Sequence, residues 1–473
     1  MNHNDLNGVP LCTPHSFARD AYDKASTLFH GYYGDPLAAI DEALQAHPDF
    51  LMGYALKAGL MLSTTDVRYY PLAAQTLELA DKHRSIGDSR ARGHLAAARA
   101  WHEGDWQRSA HLYGEVLAEF PRDVLALQMA HLADFFMGQS ATLRDRPGAL
   151  LSHWTSADPG CGFVHGMHAF GLEECGEYSA AEAAGRTALQ HNRRDPWAIH
   201  AVAHVHEMCG NLSDGIAWLE SRRGDWLPDN AFSFHNAWHL ALYWLELDQF
   251  DRVLALYDEL VRPADSDVIL ELIDASAMLW RLKLRGVDVG DRWKPVIAQW
   301  QRRLDDRLYV FNDLHALMAM LAGDQLEAAR ELVASLESFR RGSGQHSLRA
   351  QAAAVYVARG LLQFAEERYE QALSDLLRGM ETAADFGGSN AQRDLITLTA
   401  LRCAERAGSV GVSGSLLQQR LDARPNSPFV WSSLADWRAR HDTEVLANQA
   451  RRQADNARSE WLRKLELPQR QVA

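Results

Sequence analysis

Apolar residues recur every three or four positions along almost the whole chain, the spacing that gives a helix one buried stripe. Runs that alternate apolar and polar, as a half-buried strand requires, do not occur between turn signals. The pattern therefore predicts an all-α fold built from short helices. The clearest unit runs from Ala91 to Pro121, where Ala98 and Ala110 let two helices approach, Gly104 turns between them, and Trp106 and Tyr113 fill the gap to the next pair. Further turns are predicted at Gly138, Gly176, Gly210 and Asp248. Beyond them, Leu270, Ile273, Ala277, Trp280 and Leu284 predict a helix over Asp267–Arg285, and another is predicted over Val296–Leu308. Leu314–Leu336 reads as a hairpin around Gly323, and Arg349–Ala384 as one that turns before Tyr369. Ser16–His47 and Asp49–His83 read as irregular hairpins at the front. Pro425, Pro428, Trp431 and Trp437 precede a charged helix over Thr443–Leu465 that would cap the far end with its polar face.

From Gly104 to Gly138, Gly176 and Gly210 the steps are 34, 38 and 34 residues, close to the 34-residue period of tetratricopeptide (TPR) units. A chain of 473 residues is too long for one ordinary core, and a repeat array accounts for the length better than several separate domains. The expectation is one TPR-like α-solenoid over 1–473. It would have degenerate hairpins over 1–87, the most regular repeats over 88–267, later repeats over 268–400 and capping helices over 401–473.

Composition supports a folded helical chain: 47% hydrophobic, 23% charged and only 15 prolines. A net charge of −14 argues against general affinity for phosphate backbones, so no nucleic-acid partner is expected. No apolar run approaches the roughly 18–20 residues that span a bilayer, and Met1-Asn2-His3-Asn4-Asp5 has no secretory character, so no membrane partner and a cytoplasmic location are expected. Cys12, Cys161, Cys175, Cys209 and Cys403 are scattered and odd in number, which points to reduced thiols.

His165, His200 and His235 are each 35 residues apart, and so are His204 and His239. In a stacked array such columns line one wall, although the step of 38 residues between the turns at Gly210 and Asp248 staggers them. Around these positions the chain reads His200-Ala-Val-Ala-His204-Val-His206-Glu207-Met-Cys-Gly210 and His235-Asn-Ala-Trp238-His239-Leu-Ala-Leu-Tyr243. Further on it reads Asp313-Leu-His315, then Gly387-Gly-Ser389-Asn-Ala-Gln392-Arg393-Asp394. With these four stretches the chain resembles the tetratricopeptide repeat protein 38 family over nearly its whole length. The resemblance implies a right-handed superhelical solenoid of TPR-like helix-turn-helix hairpins. It carries over no reaction.

His200 with His204, and His235 with His239, are i,i+4 pairs, each on one helix face, a geometry that offers adjacent ligands to Zn²⁺ or Fe²⁺. Asp274, Asp313 or His315 would complete a shell if later repeats curl inward. Glu207 follows His206 directly, about 100° away around the helix, and does not reproduce a His-Glu-x-x-His site. The competing reading is a set of partly buried imidazoles satisfied by carboxylates, with no metal. Ser389 or Asn390 is the expected N-cap of a helix whose first amides, with Gln392 and Arg393, would hold a carboxylate or phosphate; a plain capped turn is the alternative. His239, Asp313 and His315 are candidate acid/base residues if His239, His315 and Arg393 converge, with Trp238 and Tyr243 as an aromatic wall, unless those two simply pack the core.

Two functions follow. The first is a solenoid whose concave groove, lined by His165, His200, His204, His235 and His239, binds a peptide or a small acidic ligand. The second is an enzyme using the same histidines, by metal or by acid/base chemistry, on a small molecule in a closed pocket. Whether the chain is catalytic, whether a divalent metal is its cofactor, and its oligomeric state stay open. A third reading, a purely structural spacer, requires the imidazoles to be dispersed.

Overall fold

The computed structural model describes residues 3–263, 266–340 and 342–466, and among them the regular secondary structure is helical throughout. The two extended pairings are isolated bridges, Asn4 with Pro10 across the Asn7-Gly8 turn and Tyr33 with Asn230. No helix among the described residues is long and apolar enough to cross a membrane, and no disulfide forms among them.

The predicted hairpins form. Ala91–Pro121 becomes helices Ser89–His102 and Trp106–Glu119, with Gly104 at φ +79° and Asp105 accepting from the Arg108 amide as N-cap. Gly138, Gly176 and Gly210 take the left-handed conformation a tight turn needs, and Asp248 adopts it at φ +57°. The front reads Ser16–Gly31 with Pro36–Ala46, then Leu51–Leu62 with Tyr70–Asp81. The Gly323 hairpin is Val310–Ala322 with Leu326–Ser338, and the next is Gly344–Ala365 with Tyr369–Thr382. One boundary differs: the helix expected over Val296–Leu308 is Trp293–Gln301, because the chain leaves the helix at Arg302 and Arg303 turns to bond Asp66 and the Asp267 carbonyl.

Two kinds of helix alternate. Outer helices such as Trp106–Glu119 and Tyr369–Thr382 bury one stripe and expose the rest. Inner helices such as Val124–Phe136, Pro196–Met208, Ser233–Glu246 and Val310–Ala322 are buried almost all round. An inner helix of an open array would show one face to a groove. Here that face is covered by the later part of the chain. The Ser343 amide donates to the Gly104 carbonyl, the Ala384 carbonyl lies where a Cβ at Gly138 would be, and Arg424 packs over Gly210. Helix Glu444–Glu466 lays Arg458 against Asp248, and Ser427 bonds Glu246. The C-terminal hairpin thus docks on the middle of the chain instead of ending a free stack, and its outer side stays polar.

Candidate functional site

Among the described residues the closure leaves a sizeable cavity of about 340 Å³. Its walls are aromatic and come from across the chain: Phe29 and Tyr32 at the front, Phe136 and Trp197 in the middle, Phe232 and Phe311 behind. At one end stand Asp66, Arg68 and Asp267; at the other, His200, His235, Asp274, Ser389 and Gln392. Arg68 is the one cationic residue among the described lining residues, and it is already bonded to both Asp66 and Asp267.

Behind the histidine end lies a buried cluster. Helix Pro196–Met208, started by Asp195 as N-cap and Pro196 at its first position, carries His200 and His204 one turn apart; helix Ser233–Glu246 carries His235 and His239 the same way. Ligand-capable atoms of all four imidazoles lie within 4.8 Å of one another. The Nε2 atoms of His200 and His239 are 3.2 Å apart, and the rings of His204 and His239 have centroids 4.3 Å apart.

Three carboxylates back the rings. Asp274 Oδ2 is 2.6 Å from His235 Nδ1, and Glu207 Oε2 is 2.9 Å from His239 Nδ1. Glu173 Oε2 lies 3.2 Å from His204 Nδ1 but outside hydrogen-bond geometry, so both His204 nitrogens and both Glu173 oxygens are buried without a hydrogen-bond partner. Burial disfavours the charged rings, holding His200 and His239 well below the ordinary histidine range and His204 at about 4. Burial likewise pushes the Glu173 carboxyl up to about 8 and raises Glu207.

The sequence expectations divide. His200, His204, His235 and His239 do meet. His165 does not: it is half-buried and its ring lies parallel to His191, centroids 6.2 Å apart. The reason is phase. His165 precedes its turn glycine by 11 residues and His200 precedes its own by 10, a rotation of about 100°. The step of 38 residues between the turns at Gly210 and Asp248 exceeds the usual 34 by about one helical turn, so the second pair stays on the same face, staggered along it.

Trp238 and Tyr243 do not line the cavity. Trp238 stacks on the His235 ring at 5.4 Å with Arg281 5.2 Å from its ring centroid, and buried Tyr243 donates to the Ala203 carbonyl and packs against Gly215. Gln392 lines the cavity, but its side chain accepts from the Ser389 amide in a capping box.

The helix Asn390–Arg406 does meet an acid at its first turn, the protein's own Glu174, which burial pushes up to about 7. Its carboxylate accepts from the Asn390 amide at 2.9 Å and lies 3.4 Å from Arg393, which also donates to the Gly388 carbonyl. The Asn390 amide and Arg393 are thus already engaged and not open to a ligand as expected. Nor do His315 and Asp313 join the cluster. Helix Val310–Ala322 is regular there, so residues two apart point in divergent directions; His315 bonds the Phe311 carbonyl of its own helix at 2.8 Å. His239, His315 and Arg393 therefore do not converge.

The sequence reading missed Glu173 and Glu174 and gave Glu207 no partner. A signal existed: Glu173 and Glu207 each stand three residues before their turn glycine, Gly176 and Gly210. Aligning repeats on their turns, not on a fixed 35-residue step, places the two carboxylates in one column.

No family model matches the chain. Among solved structures, the human IFIT1 dimer with m7Gppp-AAAA is similar with a TM-score of 0.44 and 11% identity over 93% of this chain and 94% of that one. The yeast Tom70 structure is similar with a TM-score of 0.32 and 11% identity over 92% and 98%. At these values neither likeness bears on the site.

Proposed function

We propose that the protein binds a small, largely apolar molecule in the aromatic-rich cavity, with the polar end of that molecule against His200, His235 and Asp274. The observation that carries this reading is a mostly apolar, aromatic-rich space of about 340 Å³ that ends in buried imidazoles and a carboxylate, the composition of a small-molecule site. A peptide in an open groove fits less well, since later repeats cover the inner helices. An acidic ligand fits less well too, because Arg68 and Arg393 already have carboxylate partners. The overall charge of −14 remains the reason to expect a ligand other than nucleic acid. With this reading goes membership of the tetratricopeptide repeat protein 38 family, on the four stretches quoted above.

A second reading, an enzyme acting on that molecule, is favoured by the carboxylate-backed imidazoles at the cavity floor. Such pairs fix which ring nitrogen faces the reacting space.

Filling the cavity tests the leading reading. Ile273 is buried on its wall, whereas Leu72 is 48% exposed elsewhere. An environment-sensitive apolar fluorophore such as 1-anilinonaphthalene is expected to bind saturably to the native chain and to Leu72→Trp, and at least about 10-fold more weakly to Ile273→Trp. Equal binding to all three, or none to the native chain, refutes the cavity as a ligand site.

A further inference from the structure

We infer that His200, His204, His235 and His239 bind one divalent transition-metal ion of the imidazole-preferring kind, such as zinc or iron(II), at the inner wall of the cavity. Asp274 and Glu207 orient the rings of His235 and His239, and Glu173 stands beside His204.

The first ground is convergence. Four imidazoles from two helices offer ligand atoms within 4.8 Å of one another, with the His200 and His239 Nε2 atoms 3.2 Å apart. Metal–nitrogen bonds of about 2.0–2.1 Å in a tetrahedral shell place ligand nitrogens about 3.3 Å apart. The His200–His239 pair already has that spacing, and the other ligand atoms, within 4.8 Å, would draw inward on the ion.

The second ground is the outer shell. A ligating histidine presents one nitrogen to the ion while its other N–H donates to a carboxylate or carbonyl, which fixes tautomer and ring angle. Asp274 at His235 Nδ1 and Glu207 at His239 Nδ1 hold their rings so that Nε2 is the nitrogen left over, and Glu173 stands 3.2 Å from His204 Nδ1. The carboxylates come from three different helices, Ile269–Leu284, Pro196–Met208 and Cys161–Glu174, so no single local motif accounts for them.

The third ground is unmet polarity. His204 Nε2 and His200 Nδ1 are fully buried without a hydrogen-bond partner, although buried polar atoms are almost always paired. A hydrogen-bonded histidine core with no ion would be expected to pair its nitrogens with each other or with backbone; among these four rings one nitrogen–nitrogen contact at bonding distance is present. Glu174, the other acid beside His204, is committed to Asn390 and Arg393 and stays outside the shell.

His200 and His235 line the cavity, while His204 and His239 stand behind them. The ion would therefore border the space proposed for the small molecule. The site rests on the cluster alone and is measurable with no such molecule present.

The test uses the untagged full chain. Elemental analysis is expected to find close to one zinc or iron per chain. After chelation, Co²⁺ is expected to give a visible ligand-field band that saturates at one equivalent. His204→Ala and His239→Ala should abolish the band, and His111→Ala, on a side chain 74% exposed, should keep it. Asp274→Asn and Glu207→Gln should weaken Co²⁺ affinity about 10- to 100-fold while leaving the helical circular dichroism intact. A folded native chain that takes up none of these ions overturns the inference. So does unchanged Co²⁺ affinity in the alanine variants or, if those do not fold, in Asp274→Asn and Glu207→Gln. Ile273→Trp separates the two readings: loss of fluorophore binding with full Co²⁺ binding leaves the metal site standing by itself, and the reverse pattern leaves only the cavity.

Discussion

At the scale of single residues, the most informative position is Glu174. Its carboxylate satisfies the first amide of helix Asn390–Arg406 and faces Arg393, tying the end of helix Cys161–Glu174 to a helix more than two hundred positions later. The pair is nearly buried, with side chains 2% and 12% exposed, so removing the acid leaves a cation and a backbone donor short of partners. Glu174→Ala is expected to lower stability by about 3 kcal/mol in urea titrations, and Glu174→Gln by less, since an amide oxygen still accepts from Asn390. A loss in Glu174→Ala below about 0.5 kcal/mol would mean that this contact does not hold the halves together. The same residue explains why an anion site was legible from Gly387 to Asp394 while its occupant was not. Glycines, a capping serine and an arginine announce a helix start that accepts negative charge, but nothing local says that the charge comes from the protein itself.

At the scale of elements, the turns do two jobs that sequence shows as one. Gly138 and Gly176 both have positive φ, +63° and +78°, and both were expected as turn glycines. Around Gly176 nothing lies within 4 Å of an added Cβ, whereas at Gly138 such a Cβ would collide with the Ala384 carbonyl oxygen. Gly176→Ala should cost about 1 kcal/mol, the strain of the left-handed conformation alone. Gly138→Ala should cost about 3 kcal/mol, because the later segment must also shift. Equal losses in thermal or denaturant unfolding would remove the claim that the segment around Ala384 seals this turn. The histidine helices carry a similar lesson. Periodicity places His200 with His204 and His235 with His239 correctly, and the one-residue change of phase that excludes His165 can be counted from the turns. The carboxylates opposite them require knowing which helices adjoin.

At the scale of the whole molecule, closure replaces the open groove of a linear array. Stability of a linear solenoid is roughly a sum over neighbouring repeats, so losing an end hairpin removes one interface. Here helix Glu444–Glu466 and its partner Pro428–His441 bury Phe429, Val430 and Trp461 and pair Arg458 with Asp248 in the middle of the chain. A chain ending at Asn426 is expected to lose at least about 3 kcal/mol, the order of several buried side chains, and to unfold over a broader urea range as the middle repeats open. An unchanged midpoint and slope would show that the hairpin is a passive cap.

What the sequence determined by itself is whatever depends on neighbours along the chain: helices, their turns, which residues share a helix face, and hence two histidine pairs at the right spacing. Local periodicity and turn chemistry act over a few residues, and a sequence displays them directly. Only the tertiary structure decided that later repeats fill the concave side, that the groove shrinks to an aromatic cavity, and that Asp274, Glu207 and Glu173 stand behind the imidazoles while Glu174 takes the helix end meant for a ligand. Those outcomes come from small rotations between successive hairpins that add up over the whole array, and no single repeat records the sum.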